Sequence, residues 1–456
     1  MQEFDLVVIG GGPGGYVAAI TAAKSGLKTL IIEKAEMGGT CLNRGCIPTK
    51  ALLHCTGEYN AAKNSEACVC KGIELDYSKA FAHKEATTMK LRRGVEMLVK
   101  KSGCTIINGT AELQNENMLK VNDETISFVN LIIATGSVPS GSPFEIEDGA
   151  NVINSDGFLE LKELPESAVI IGGGVIGMEF ATVMANAGKD VTVIEAAPEV
   201  LPSMDKELAT VSKIALEKQG VKFHTQTFVK KVYNKDGKTI CDITFGDKFN
   251  TVSADVVISA VGRKANTEGL KPERAALRMN RGFIEVNELC ATSTPHIYAI
   301  GDVNDKCMLA HAASYQGKRV VLNIVENKNI SCTTVPVPGC VYTSPEIASV
   351  GMTEEEAVSA GYNIKVGRFD AIGNGKLLSM GETLGFVKLI GDAETDEILG
   401  AQLACAHATD MVAEIAAVMK CEGTMHELSE TIHPHPTVSE MLMEAADDYF
   451  GMCVHK

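Results

Sequence analysis

The sequence predicts an α/β protein with two Rossmann-like dinucleotide-binding units and a C-terminal α+β domain, and three observations carry that prediction. Residues 5–33 read as a strand (Asp5 to Ile9), a turn (Gly10-Gly11-Gly12-Pro13-Gly14-Gly15), a helix to about Lys24 and a strand from Thr29 to Ile32 that ends at Glu33. The same unit recurs: Gly10, Gly12, Gly15, Gly26 and Glu33 map onto Gly172, Gly174, Gly177, Gly188 and Glu195 at a constant offset of 162. Residues 339–456 carry no such fingerprint and read as β-rich through Leu403, then helical from about Thr409 to Cys421.

In the first unit Gly10 permits the tight turn, Gly12 lets the backbone approach a pyrophosphate, and Gly15 lets helix and strand pack closely. Glu33 is placed to accept a hydrogen bond from a ribose hydroxyl; a glycine-rich structural turn is the plainer reading. The next stretch is Gly38-Gly39-Thr40-Cys41-Leu42-Asn43-Arg44-Gly45-Cys46-Ile47-Pro48-Thr49-Lys50. In an ideal helix, residues five apart lie roughly 8.7 Å apart, beyond the roughly 7 Å limit for a disulfide. Pairing of Cys41 with Cys46 therefore requires a bend, for which Gly45 and Pro48 are suited, and permits a strained, reducible bond. Two small buried residues in a loop is the alternative. A helix follows from Tyr77 to Lys101, then an apolar strand from Leu131 closing on Gly136. Residues 138–168, with prolines at 139, 143 and 165, read as a connection.

The second unit runs from Val169 through Gly172, Gly174 and Gly177 to Glu195, and its closing strand spans Val256 to Gly262. That strand lies only 126 residues after its counterpart, so the second unit is shorter by 36, and the surplus of the first includes the cysteine stretch. A protein holding two dinucleotides most simply passes electrons between them. Arg263 to Glu268 reads as a crossing loop, followed by a strand from Ile297 to Ile300 ending in Gly301-Asp302. A carboxylate there is positioned for a ligand or as a helix N-cap. A helix from about Leu309 to Glu326 precedes the boundary Val335-Pro336-Val337-Pro338. In His433-Pro434-His435-Pro436-Thr437-Val438-Ser439-Glu440, Pro436 at a helix start places Glu440 one turn inside, where it reaches back to His435 and prepares a proton-transferring base. A capping role for His435, or metal ligation by His433 and His435, are the alternatives.

With 456 residues the chain suggests about three domains. Its formal charge of −16 argues against nucleic acid or anionic membrane as the main partner. No run approaches the roughly twenty apolar residues of a membrane span, and the opening residues do not resemble a signal peptide, so the expected location is cytoplasmic. Fourteen scattered cysteines read as mostly reduced thiols. Cys68 and Cys70 are too isolated to suggest a metal, and no metal site is expected.

Together these residues resemble the dihydrolipoamide dehydrogenases among the FAD-dependent pyridine nucleotide-disulfide oxidoreductases, over essentially the whole chain. The resemblance rests on the Gly38 to Lys50 stretch, Ala134-Thr135-Gly136, Gly301-Asp302, Met308-Leu309-Ala310-His311 and His433 to Glu440. It implies FAD on Gly10, Gly12, Gly15, Glu33, Lys50, Ala111, Thr135, Gly136, Ser137, Asp302, Met308, Leu309, Ala310 and His311. It implies NAD on Gly172, Gly174, Gly177, Glu179, Glu195, Val229 and Gly262. A redox-active Cys41–Cys46 pair, a Lys50–Glu179 pair beside the flavin, and a His435–Glu440 base are also implied. So are an FAD-binding domain over 1–140, an NAD-binding domain over 141–263, a return to the FAD or central domain over 264–334, and a dimerisation domain over 335–456. The expected assembly is a homodimer in which His435 serves the other subunit's disulfide, with lipoyl domains or a lipoyl carrier protein as partners in a 2-oxoacid dehydrogenase or glycine cleavage system. Glu195 favours NAD over NADP, because its carboxylate accepts from a 2′-hydroxyl but repels a 2′-phosphate. Arg44 departs from the family's small apolar residue, and its charge is expected to favour the cysteine thiolates. Competing readings are a mercuric or low-molecular-weight disulfide reductase, and a redox sensor or scaffold without turnover.

Overall fold

The computed structural model describes residues 2–65, 67 and 72–456; the reading of Cys68 and Cys70 as unconnected with a metal lies outside the described residues. The first unit begins with β1 (Gln2–Ile9), α1 (Pro13–Lys24) and β2 (Thr29–Glu33). The cysteine stretch forms α2 (Gly39–Arg44) and α3 (Cys46–Asn64), and the long helix is α4 (Tyr77–Lys101). Then come β3 (Thr105–Asn108), β4 (Ala111–Leu113), β5 (Met118–Val121), β6 (Glu124–Ile133) and β7 (Ser137–Pro139). Val7, Val8, Leu131, Ile132 and Ile133 are fully buried, as parallel strands covered on both faces require. β1 lies between β2 and β6, parallel to both, in the order β3-β2-β1-β6-β5-β4.

The connection expected over 138–168 is more than a connection. After β8 (Glu145–Ile146) it supplies β9 (Val152–Asn154) and α5 (Ser155–Leu159), and β9 becomes an edge strand of the second unit's sheet. That unit continues with β10 (Ser167–Ile171), α6 (Val175–Asn186), β11 (Asp190–Ile194), α7 (Lys206–Lys218) and β12 (Lys222–His224). A meander of β13 (Phe228–Lys235), β14 (Lys238–Phe245) and β15 (Lys248–Ala254) leads to β16 (Val256–Ser259), giving the parallel order β12-β11-β10-β16-β9. The crossing loop expected from Arg263 is in its first part a strand, β17 (Arg263–Ala265), paired antiparallel with β7. Strands of two or three residues are too short to show alternation, so only their partners reveal them. In both units a Cβ on the third fingerprint glycine would meet a carbonyl oxygen, Gly10 O at 1.8 Å for Gly15 and Gly172 O at 1.9 Å for Gly177, so only glycine lets α1 and α6 seat against their turns.

The chain then adds a hairpin of β18 (Met279–Asn280) and β19 (Phe283–Ile284), and returns to the first sheet with β20 (Ile297–Ala299), parallel to β6. The turn 301–304 and α8 (Ala310–Glu326) follow. The third domain contains β21 (Gly339–Val341), β22 (Glu346–Gly351), α9 (Glu354–Ser359), β23 (Ile364–Asp370), α10 (Gly375–Ser379), β24 (Phe386–Asp392) and β25 (Ile398–Cys405). It ends in α11 (Ala408–Lys420), α12 (Met425–Glu430) and α13 (Glu440–Phe450). Its antiparallel sheet runs β21-β22-β25-β24-β23, with β24 and β25 buried on both faces. One face packs on α11 and α13 through Leu389, Leu403, Met411, Leu442 and Tyr449. The other places Ile347, Phe386 and Ala404 in one core with Leu208 and Leu216 of the second unit.

The helix expected to start at Pro436 starts at Glu440 instead. Residues 435–439 form turns held by Thr437, whose hydroxyl donates to Pro434 O (2.7 Å) and whose N–H donates to Glu440 Oε2 (2.7 Å). The carboxylate thus opens the helix rather than sitting one turn inside it.

Candidate active site

Gly45 makes the bend in the cysteine stretch. With φ −153° and ψ −110° it is both the last residue beyond α2 and the one before α3, and it brings the Cys41 and Cys46 Cα atoms to 4.6 Å in a disulfide. Both cysteines are half-buried. The stretch is tied to the first fingerprint, because Gly38 N donates to Gly11 O (2.8 Å). Arg44 does not face the sulfurs unopposed: it pairs with Glu36 (3.1 Å), and Arg92 of α4 donates to Asn43 Oδ1 (2.8 Å). Its field at the disulfide is therefore partly offset by the adjacent carboxylate.

One turn along α3, Lys50 Nζ donates to both oxygens of Glu179 on α6, at 2.8 and 2.9 Å. Glu179 is 5% exposed and also accepts from Tyr342 N (3.2 Å), while the Lys50 ammonium lies 4.3 Å from the Tyr342 ring centroid. Burial raises the Tyr342 phenol above its ordinary value and pushes the neighbouring Cys340 thiol up to about 11. Residues from the two fingerprint units and the third domain thus meet next to the disulfide. No local motif marks Tyr342, and its role is visible only in three dimensions.

The carboxyl ends of the first sheet converge on a cleft lined by Gly10, Glu33, Ala111 and Thr135. Gly12 and Gly174 cap α1 and α6 without any side-chain hydrogen bond, so the first-turn N–H groups stay available to an anion. A Cβ added at Gly174 would meet no atom within 4 Å, and one at Gly12 only Gly39 Cα at 3.9 Å; both would fill the cradle rather than the core. Thr135 Oγ1 is buried and finds no partner among the described residues. These features fit two dinucleotides. Glu33 accepts from Gly11 N (2.6 Å) and Ala35 N (2.8 Å), and Glu195 repeats the pattern with Gly173 N (2.6 Å) and Ala197 N (2.7 Å). Each carboxylate is thereby oriented by its own fingerprint turn.

Beside Gly136, Ser137 Oγ donates to Asp302 Oδ2 (2.6 Å) and accepts from Arg263 Nε (2.7 Å). Burial lowers the Arg263 guanidinium from its ordinary value, against the opposing pull of Asp302. Arg263 carries no sequence signal apart from following Gly262. Of the Met308 to His311 run, Met308 is exposed, Leu309 is the extended residue before α8, Ala310 begins that helix, and His311 Nε2 lies 2.8 Å from Pro338 O. Val229 sits at a bulge in β13 and Gly262 follows β16 with φ +120°.

His435 Nδ1 lies 2.9 Å from Glu440 Oε1, and the histidine is 80% exposed. Burial alone would raise the Glu440 carboxyl, but the Thr437 N–H and His435 hold it below the ordinary range. His433 is occupied elsewhere: its Nε2 lies 3.0 Å from Glu414 Oε1, a bond that raises its pKa. Within the subunit, Glu440 is the side chain that His435 contacts, on the third domain's surface.

A family model described as pyridine nucleotide-disulphide oxidoreductase matches residues 4–317, and one described as the dimerisation domain of the same family matches residues 337–446. A protein of Bacillus subtilis named dihydrolipoyl dehydrogenase is 40% identical, covering 99% of both chains. One of Thermus scotoductus with the same name is 42% identical over 100% of this chain and 99% of its own. Among solved structures, the HOCl-induced flavoprotein disulfide reductase RclA of Escherichia coli superposes with a TM-score of 0.87 at 30% identity, over 98% of this chain and 99% of its own.

Proposed function

The chain belongs to the pyridine nucleotide-disulphide oxidoreductase family, and from that premise we propose that it oxidises dihydrolipoyl groups and reduces NAD, as an FAD-dependent dihydrolipoyl dehydrogenase. The observation that carries this reading is the Cys41–Cys46 disulfide, seated on the Gly45 break beside Lys50 and Glu179. FAD is held by Gly10, Gly12, Gly15, Glu33, Lys50, Ala111, Thr135, Gly136, Ser137, Asp302 and the Met308 to His311 run. NAD is held by the Gly172 to Gly177 turn, Glu179, Glu195, Val229 and Gly262. When bound, the flavin carries two electrons from the reduced cysteine pair to NAD.

The chain's own groups do the sulfur chemistry. His435, held by Glu440, accepts a proton from a dihydrolipoyl thiol. The resulting thiolate attacks Cys41 Sγ, the Cys41–Cys46 bond breaks, and Cys46 leaves as a thiolate. The second lipoyl thiol attacks the substrate sulfur bonded to Cys41, and its proton passes to the departing Cys41 thiolate. This closes the lipoyl disulfide and leaves both cysteines reduced. Because His435 is exposed on the third domain, a homodimer in which it serves the other subunit's disulfide completes the site. Lipoyl domains or a lipoyl carrier protein of a 2-oxoacid dehydrogenase or glycine cleavage system are the macromolecular partners. A cytoplasmic location suits them; no helix among the described residues is long and apolar enough to cross a membrane.

A steady-state panel tests this reading. Dihydrolipoamide with NAD is expected to turn over, whereas NADPH with glutathione disulfide or with mercuric ion is not. Inactivity with the first pair overturns the assignment, and activity with either other pair supports the related disulfide reductase reading that the 30% identity to RclA favours.

A further inference from the structure

Away from the Cys41–Cys46 site, a second pair of cysteines lies in contact. Cys290, in the turn before β20, and Cys332, in the segment leaving α8, are free and buried in the same core, with their thiols against each other. Main-chain bonds bring the two segments together: Cys332 N donates to Glu288 O (2.8 Å), and Ala299 N to Cys290 O (3.0 Å). The pair is asymmetric. The hydrogen bond from Cys290 holds the Cys332 thiol below its ordinary pKa, with help from the Arg319 guanidinium and against burial; Cys290, which gives that bond, is driven up. Arg319 Nε is buried without a partner among the described residues. Cys332, next to the exposed residues 327–330, is the sulfur placed to react first, and Cys290, fully buried behind it, is the one placed to resolve.

We propose that Cys290 and Cys332 are a second redox dithiol, distinct from Cys41 and Cys46, which hydroperoxides oxidise to a disulfide and low-molecular-weight thiols reduce again. The Cys332 thiolate attacks the peroxide O–O bond, taking one oxygen as a sulfenic acid while the other departs as hydroxide and is protonated to water. Cys290 sulfur then displaces the sulfenic oxygen; its proton goes with that oxygen, and a second water leaves. Two thiols and one hydrogen peroxide give one disulfide and two waters. Cys332 is covered, but residues 327–330 beside it are exposed, so a small oxidant needs only a local opening to reach it.

The bond would close a loop of about 40 residues containing β20, the Gly301-Asp302 turn and α8, constraining the unfolded chain. Asn304 connects it to the cofactor turn. Its Nδ2 lies 3.9 Å from Cys290 Sγ and 3.3 Å from Gln316 Oε1, which accepts from Gly301 N at 2.7 Å.

The test is peptide mapping of the purified flavin-loaded protein after hydrogen peroxide, with free thiols alkylated and no reductant added. The expected result is a cross-linked peptide joining Cys290 to Cys332, two hydrogens lighter than the separate peptides and cleaved by dithiothreitol. The melting midpoint should rise by about 5 °C. Cys290→Ser should leave Cys332 as a sulfenic acid trapped by dimedone, and Cys332→Ser should abolish both products. Recovery of both cysteines as separately alkylated peptides from peroxide-treated wild-type protein, or a cross-link to other partners, overturns the proposal without recourse to a variant.

Discussion

Glu440 has one oxygen on His435 Nδ1 (2.9 Å) and the other on Thr437 N (2.7 Å), so it fixes both the ring and the turn that presents it. Glu440→Gln keeps a polar group in place but removes the charge that favours an imidazolium. Turnover of dihydrolipoamide is expected to fall about 100-fold with KM and melting midpoint nearly unchanged, as loss of a general base's support predicts; steady-state kinetics with a thermal melt checks it. This pair was legible in the sequence because its two members lie five residues apart. Tyr342 and Arg263 were not, since each reaches its partner across a long sequence separation. The effect expected of Arg44 also depends on a neighbour, Glu36, whose direction no spacing rule gives.

Elements follow sequence well where they are long or repeated, and poorly where they are short. α4 runs from Tyr77 to Lys101 as periodicity predicts, and the two fingerprint units repeat in backbone detail, Gly10 N donating to Ile32 O and Gly172 N to Ile194 O, both at 2.8 Å. Gly177→Ala forces a methyl group against Gly172 O and moves α6 from its turn. NAD affinity should fall by about tenfold or more, near 1.4 kcal/mol, by calorimetric titration. At the other end, α13 begins four residues later than Pro436 suggests, because a carboxylate that accepts Thr437 N–H is satisfied at the helix start. The preceding loop is fastened to α11 by His433 and Glu414. The Glu414 bond raises the His433 pKa, so its contribution is complete below the ordinary histidine value near 6.5 and disappears as pH rises through the raised value. A loss of about 1 kcal/mol across that window, absent in Glu414→Gln, is expected from melting curves at stepped pH.

Across the whole molecule, the third domain is joined to the second unit by charge as well as by packing. Lys388 of β24 is 4% exposed and meets Glu207 (2.6 Å), Glu354 (2.8 Å) and Asp205 (3.2 Å), while Arg368 of β23 also binds Glu207 (2.6 Å). Lys388→Met leaves three carboxylates facing one another without their shared cation. Destabilisation of about 3 kcal/mol is expected, partly relieved by added salt, and denaturant titration at two ionic strengths reads it. By itself the sequence determined the two nucleotide-binding units, the cysteine pair and the His435–Glu440 pair, because each is written in local spacing: glycines where backbone must approach backbone, and partners five residues apart. Only the tertiary structure decided how Lys50, Glu179 and Tyr342 meet, that β9 joins the second sheet, and that Cys290 touches Cys332. Those contacts join segments separated by about 40 residues or more, and what selects them is the burial of shared apolar faces, a property of the whole chain.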